Sequence, residues 1–255
     1  MSCSLIRGVL GRLSEIVAVS AIFISCSSAY NNNDCVDMRT AGVNMVSLGS
    51  GELSMDLDSH KKAVRELRKI VQECGVPQDG NDITNDPNVS TAELYMLAEM
   101  DIELRGVLAN ADKLTKSQAA SLLIQTAANR DVATLKMVVN SGVPANLHDE
   151  VGDTAIMGAV GSLTDSDGKI CYLAALGVDP FSQNNAGFSA IDKAVMVGDE
   201  RSLLALLKVA DAKDPLPVGQ VQSALGIAEQ LNSPLVEELA DWLKSSHIPI
   251  SPCSN

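Results

Sequence analysis

The sequence predicts an all-α protein, with a helical repeat solenoid in its second half and an additional helical region before it. Apolar residues recur at spacings of three and four, and no segment shows sustained alternation with a period of two. Glycine-containing motifs recur 35 residues apart, which is typical of a stacked repeat array. The chain has 255 residues, of which 46% are hydrophobic, enough for one large domain or two small ones.

Charge and aromatic content exclude several classes of partner. The chain carries 19 Lys and Arg against 32 Asp and Glu, a formal net charge of −13. Such a surface repels nucleic acid and anionic membranes on average. One Trp, three Tyr and three Phe are too few for a series of base-stacking platforms. We therefore expect no nucleic-acid partner, and membrane contact only through a lipid anchor.

Residues 1–29 have the features of an export signal. Arg7 and Arg12 precede an apolar run from Ile16 to Ile24, which is too short to span a bilayer comfortably. The small residues that end at Ala29 offer a cleavage site before residue 30.

A second processing route competes with simple cleavage. The segment Phe23-Ile24-Ser25-Cys26 resembles a bacterial lipobox, which implies lipidation of Cys26 and a leader that ends at residue 25. Phe23 stands where Leu is usual. A third alternative is an N-terminal helix of a cytosolic protein, which Glu15 at the edge of the apolar run favours.

Four cysteines lie beyond the leader, namely Cys35, Cys74, Cys171 and Cys253. An even number is compatible with disulfides in an oxidising compartment, and three pairings are open. No pair has the spacing of a zinc ribbon or a thioredoxin-type motif.

The N-terminal half divides into an arm and a helical region. Residues 30–58 are polar and rich in Asn and Gly, which predicts a flexible arm. Residues 59–115 form the helical region: one helix is expected from about Ser59, as N-cap, to Cys74, and another from about Thr91 to Asn110.

The first of these helices has a basic face. Five residues form it: Lys61, Lys62, Arg65, Arg68 and Lys69. They lie opposite an apolar stripe that contains Val64 and Leu67, so the helix is amphipathic. One interpretation is a solvated face or one that pairs with acidic residues of the repeats. The other is a docking strip for an acidic partner, or for lipid head groups if Cys26 is lipidated.

Residues 116–245 repeat with a period of about 35. Gly142 and Gly177 each follow a predicted helix, where the chain must take a left-handed turn. The segments Gly152–Val160 and Gly187–Val195 then align, each with a hydroxyl residue that can cap the next helix. We expect about four repeats, with extra residues at 162–168 in the second, a degenerate fourth as the cap, and a tail over 246–255.

The repeated segments resemble the ankyrin family. Gly152-Asp153-Thr154-Ala155-Ile156 and its equivalent from Gly187 are similar to the Gly-x-Thr-Pro-Leu-His signature of the first ankyrin helix, but lack its Pro and His. The resemblance implies a protein-binding stack that meets its partner through finger loops and the first helices. The loop residues are Asn146, Leu147, His148, Asp149, Glu150, Gln183, Asn184 and Asn185.

No residue pattern predicts catalysis, a cofactor or a metal site. His60, His148 and His247 are far apart in sequence, and we expect them to be exposed or in turns. The segment Asp165-Ser166-Asp167-Gly168 resembles a calcium loop but lacks the closing Glu. P-loop and nucleophile-elbow motifs are missing as well.

These observations favour a non-enzymatic binding protein of the bacterial cell envelope, periplasmic or lipid-anchored, that occludes a partner protein and acts as an immunity or protective factor. The acidic charge indicates a basic partner. Two alternatives stay open: a secreted effector that binds host proteins, and an enzyme with an unrecognised site in residues 30–115.

Overall fold

The computed structural model describes residues 32–48, 57–77, 83–213 and 215–245. All of them belong to one contact unit, Asn32–Asn255. The predicted leader, with Cys26, and the predicted tail lie outside the described residues.

Within these ranges the protein is all-α, with no strand and twelve α-helices. They are α1 (Asn32–Leu48), α2 (Leu57–Cys74), α3 (Thr91–Leu97), α4 (Asp101–Leu108), α5 (Lys116–Asn129), α6 (Val132–Asn140), α7 (Ala155–Ala159), α8 (Ser166–Ala175), α9 (Ala190–Val197), α10 (Glu200–Asp211), α11 (Val218–Leu231) and α12 (Val236–Lys244). No helix among the described residues is long and apolar enough to cross a membrane.

The predicted flexible arm is wrong over residues 32–48, which form α1. This helix packs against α2, and a disulfide joins Cys35 to Cys74 with 5.6 Å between their Cα atoms. The buried Arg39 donates from Nε to the Ile83 carbonyl and from Nη1 to the Gly75 carbonyl, at 2.5 and 3.0 Å. A polar helix is thus held by a covalent bond and a buried guanidinium.

The two helices predicted for residues 59–115 need boundary corrections. α2 begins at Leu57 and not after Ser59. The predicted second helix is divided into α3 and α4, because the chain turns at Glu99, which has φ of 53°. Arg68 of α2 binds this turn, with its Nε 2.8 Å from the Ala98 carbonyl oxygen.

The predicted helix starts and stops of residues 116–245 are largely confirmed. Thr154 caps α7 through its hydroxyl, and at the start of α9 the Asp192 carboxylate accepts from the backbone N–H and the hydroxyl of Ser189, at 2.8 and 2.6 Å. Gly142 and Gly177 have φ of 104° and 86°. The extra residues expected at 162–168 are partly helical, since α8 begins at Ser166.

The helices of this half pack in a regular order. α5 packs against α7, α7 contacts α9, and α9 packs against α11. α6 likewise contacts α8, and α8 packs against α10. One hydrophobic core runs through all of them and continues into α1 to α4. Trp242 of α12 is buried at the end of this core, and its Nε1 donates to Asp211 at 2.8 Å.

Candidate functional site

Two loops between helix pairs carry the predicted binding residues, and each is closed by one side chain. In the first loop Oδ1 of Asp149 accepts hydrogen bonds from the backbone N–H groups of Val151 and Asp153, at 3.1 and 2.8 Å. The backbone N–H of Asp149 donates to the Asp153 carbonyl, and that of Gly152 donates to the Asp149 carbonyl. Partial burial raises the pKa of the Asp149 carboxyl, although its backbone hydrogen bonds oppose this effect.

The second loop makes the same hydrogen bonds 35 residues later. Oδ1 of Asn184 accepts from the N–H groups of Ala186 and Phe188, both at 3.0 Å. Its backbone N–H donates to the Phe188 carbonyl, and the N–H of Gly187 donates to the Asn184 carbonyl. Asp149 and Asn184 are therefore equivalent residues that build their own turns.

The second loop lies directly on the first. Nδ2 of Asn184 donates to Oδ1 of Asp153 at 2.8 Å, and Nδ2 of Asn185 donates to the Glu150 carbonyl at 2.8 Å. The backbone N–H of Asn185 donates to the Val151 carbonyl at 2.9 Å. The two loops, residues 146–154 and 182–189, form one hydrogen-bonded unit, which we call the loop pair.

Exposure separates the predicted binding residues into two groups. Asn146, His148, Glu150, Gln183 and Asn185 are exposed on the loop pair. The other three have structural roles: Asp149 and Asn184 build the turns, and Leu147 packs against the hydrophobic core. Of these eight predicted binding residues, the five exposed ones have side chains that a partner can reach.

The structure adds four exposed apolar residues that the sequence analysis did not select. Val151 and Phe188 belong to the loop pair, with 57% and 37% of their surface exposed. Met196 and Val197 end helix α9, with 42% and 44% exposed. Val151 directly follows the predicted binding residue Glu150, and Phe188 lies three residues after Asn185. Single apolar residues on a surface are common, however, and are not a signal by themselves. Only their exposure in the folded chain identifies them.

A buried lysine away from the loop pair connects two of the segments that link consecutive helices. Lys169 of α8 is fully buried, and its Nζ donates to the Arg130 carbonyl at 2.7 Å and to Oγ of Ser162 at 2.5 Å. Burial lowers the pKa of Lys169 to about 8, while the neighbouring Asp165 and Asp131 act to raise it. Oγ of Ser162 in turn donates to the Ala128 carbonyl at 2.7 Å.

A serine beside a lysine of lowered pKa is one arrangement that activates a nucleophile. Here the Lys169 ammonium and the Ser162 hydroxyl both donate to backbone carbonyls, so the hydroxyl proton is directed away from the lysine. The pair therefore connects the α5–α6 link to α8 and does not present an activated serine.

The segment that resembles a calcium loop is bound by an arginine. Nη2 of Arg201 lies 2.7 Å from Oδ1 of Asp167 and 4.0 Å from Oδ1 of Asp165. The guanidinium thus pairs with Asp167 and approaches Asp165, and its single positive charge offsets one of the two negative charges that would hold a cation. Within the described ranges, no group of three or more His, Cys, Asp or Glu residues is placed to hold a metal ion.

The prediction that His60 is exposed or in a turn is wrong. His60 lies on the inner face of α2 and is buried, with Nδ1 unpartnered. Burial lowers the pKa of this imidazole, and Glu99 acts to raise it. His148 is exposed on the loop pair, and His247 lies outside the described residues.

Comparisons with protein-family models, with curated proteins and with solved structures return no match for this chain.

Proposed function

We propose that this chain is a non-enzymatic, ankyrin-like protein-binding module of the bacterial cell envelope, which acts by covering a surface of its partner. The observation that carries the proposal is the loop pair. Its exposed side chains stand on a backbone that hydrogen bonds already hold in place, so little conformational entropy is lost when a partner binds. Rigid loops on a helical scaffold are a common way to present binding residues.

Two features support the ankyrin-like part of the proposal. The same turn recurs at Asp149 and Asn184, each with its glycine three residues later. The helices that follow the loops pack in series, α7 against α9 and α9 against α11. In such a stack each repeat buries its apolar face against its neighbours.

The exposed residues indicate the chemistry of the partner. Val151 and Phe188 offer apolar contact area on the loop pair, where Glu150 precedes Val151 and adds negative charge, and Met196 and Val197 offer further apolar area at the end of α9. Interfaces commonly combine an apolar centre with a polar rim. A partner with an apolar patch and basic residues around it fits this surface, and the net charge of −13 would speed its association.

The cysteines support a location outside the cytoplasm. Cys35 and Cys74 form a disulfide, and Cys171 is also disulfide-bonded. Stable disulfides are typical of exported proteins. With the signal-like leader, this favours a periplasmic protein or a lipoprotein anchored through Cys26, with an immunity or protective role by steric occlusion.

Capture from an envelope extract of the source organism tests the binding surface. The full chain is compared with Met196→Ser/Val197→Ser and with Glu150→Lys. Leu204→Ser and Glu229→Lys are the matched controls, since both residues are exposed on other helices. We expect a protein that the full chain and both controls retain and that both surface variants lose. Retention by all variants alike would contradict the proposal.

Mass spectrometry of the mature N-terminus tests the location separately. A diacylglyceryl group on Cys26 identifies a lipoprotein, and an N-terminus at Tyr30 identifies a soluble exported protein. An intact Met1 in the cytosol would contradict both forms of the proposal.

A further inference from the structure

The outer face of α2 is the strongest concentration of positive charge in this acidic protein. At about 100° per residue, its five basic residues fall within an arc of about 120°. They are Lys61, Lys62, Arg65, Arg68 and Lys69. The buried residues Val64, Leu67 and Ile70 lie on the opposite side, so this arc faces away from the core. We call these five residues the basic strip.

Three of the five residues, Lys62, Arg68 and Lys69, already have partners within the protein, which leaves Lys61 and Arg65. Arg68 pairs with Glu99 at 3.1 Å, and Lys69 lies 3.9 Å from Glu73. Lys61, Arg65 and Lys69 follow one another at spacings of four residues on an exposed row. Like charges at this spacing destabilise a helix, so the row gains from an external anion.

The short length of chain between Cys26 and α1 suggests what that anion is. Asn32, where α1 begins, follows Cys26 by six residues, a length of chain that reaches about 20 Å. The disulfide ties the start of α1 to Cys74 at the end of α2. The strip extends back from Cys74 to Lys61, which is also about 20 Å along the helix. A lipid on Cys26 would therefore hold the whole strip within reach of the membrane surface.

We propose that the basic strip of α2 binds the anionic phospholipid head groups of the membrane to which Cys26 is anchored, so that α2 lies against that surface. The proposal rests on the lipoprotein form of the proposed function for its geometry, although the strip can be tested without the lipid. Asp58, Glu66 and Glu73 of α2 and the neighbouring Glu99 oppose this contact locally, but the five basic residues outnumber them. Acidic residues further than about 10 Å from the surface are largely screened by salt.

Vesicle sedimentation tests the proposal with the full chain carrying Cys26→Ser, which removes the acylation site. One set of vesicles is phosphatidylcholine alone, and the other contains phosphatidylglycerol as well. The strip variant is Lys61→Gln/Arg65→Gln. The control is Lys113→Gln/Lys116→Gln, which removes the same charge from two exposed lysines outside the strip. Circular dichroism checks that each variant folds.

We expect tighter binding to the anionic vesicles than to the neutral ones, weakened by added salt. The strip variant should lose about 30-fold in affinity for the anionic vesicles, and the control should stay within about twofold of its parent. Equal losses of affinity in both variants would overturn the proposal, and so would the absence of a preference for anionic vesicles. In the second case an acidic protein would be the partner to test for the basic strip. Missing acylation of Cys26 in cells, with the strip result intact, would instead contradict the lipoprotein anchor alone.

Discussion

At the residue scale, Gly152 explains how closely the two loops approach. It has φ of 85°, and a Cβ at this position would lie 2.9 Å from the backbone nitrogen of Asn185. Gly177 has nearly the same φ, 86°, but a Cβ there would meet nothing within 4 Å. The two glycines therefore share the conformational requirement and differ only in the contact.

This difference gives a direct test of the loop pair. Gly152→Ala and Gly177→Ala should each lose about 1 to 2 kcal/mol of unfolding free energy, because an L side chain is strained at this φ. Gly152→Ala should lose a further ~1 to 3 kcal/mol from overpacking against Asn185. Urea denaturation measures both, and equal losses would mean that the loops are not in contact.

Glu93 gives a prediction about pH. It is buried, Oε2 has no partner, and burial raises the pKa of Glu93 to about 8 from an ordinary value of 4.5. The folded state thus holds the proton more tightly than the unfolded state does. The stability associated with Glu93 is fully present below pH 4.5 and is lost as the pH rises to about 8.

Glu93→Gln removes this titration and keeps the shape of the side chain. We expect the variant to match the parent near pH 4.5 and to exceed it at pH 8 by a few kcal/mol of unfolding free energy, on the order of the cost of burying a charge. Thermal and urea denaturation at both pH values measure this difference. If the difference in unfolding free energy between the variant and the parent does not change with pH, the pKa of Glu93 is not raised by burial.

Helical spacing explains one of the errors, the wrong placement of His60. His60 lies four residues before Val64 and seven before Leu67, so its place on the buried face of α2 could have been predicted from helical spacing. The exposure of Val151 and Phe188 could not have been predicted from the sequence, because it depends on how the second loop lies on the first.

At the element scale, α1 shows why a helix can escape detection. Its buried positions Val36, Arg39, Val43 and Val46 have the spacing of an amphipathic helix, but Arg39 interrupts the apolar pattern. The arginine is accommodated because Ile83 and Gly75 supply carbonyl acceptors from distant segments. Those acceptors are set by tertiary structure, which the local sequence does not contain. The break at Glu99 has a similar cause, since Arg68 of another helix binds there.

Removal of the disulfide tests how α1 is held. The variant Cys35→Ser/Cys74→Ser opens a loop of 39 residues, which should cost about 4 kcal/mol of unfolding free energy on a chain-entropy estimate. Amide hydrogens of α1 should exchange faster, while those of α5 to α12 keep their protection. Uniform loss of protection would contradict a local role for this bond.

Helix packing gives a second prediction at this scale. A Cβ on Gly158 of α7 would lie 2.7 Å from the Ile124 carbonyl oxygen of α5, whereas one on Gly226 of α11 would meet nothing within 4 Å. Gly158→Ala should therefore destabilise the fold by ~1 to 3 kcal/mol. Gly226→Ala should stabilise it by ~0.5 to 1 kcal/mol, because alanine is the better helix former. Stabilisation by both would mean that α5 and α7 are further apart.

At the scale of the whole molecule, the all-α class and the helix order of residues 116–245 could be predicted from the period of 35 and from the capping residues. The division of the predicted loop residues into exposed residues and turn-forming residues could not be predicted from the sequence. Asp149 and Asn184 look like binding residues in sequence, because polar turn formers and polar binding residues are the same residue types. Their hydrogen bonds assign them to the turns, and leave the exposed loop and α9 residues as the binding surface we propose.

Hydrogen exchange on the complex with the captured partner is the measurement that tests this binding surface most directly. We predict new protection of amides over residues 146–151, 183–188 and the C-terminal turn of α9. The exposed turns of α10 and α12 should exchange as in the unbound chain. Protection confined to α10 and α12, with the loop pair unchanged, would contradict the account.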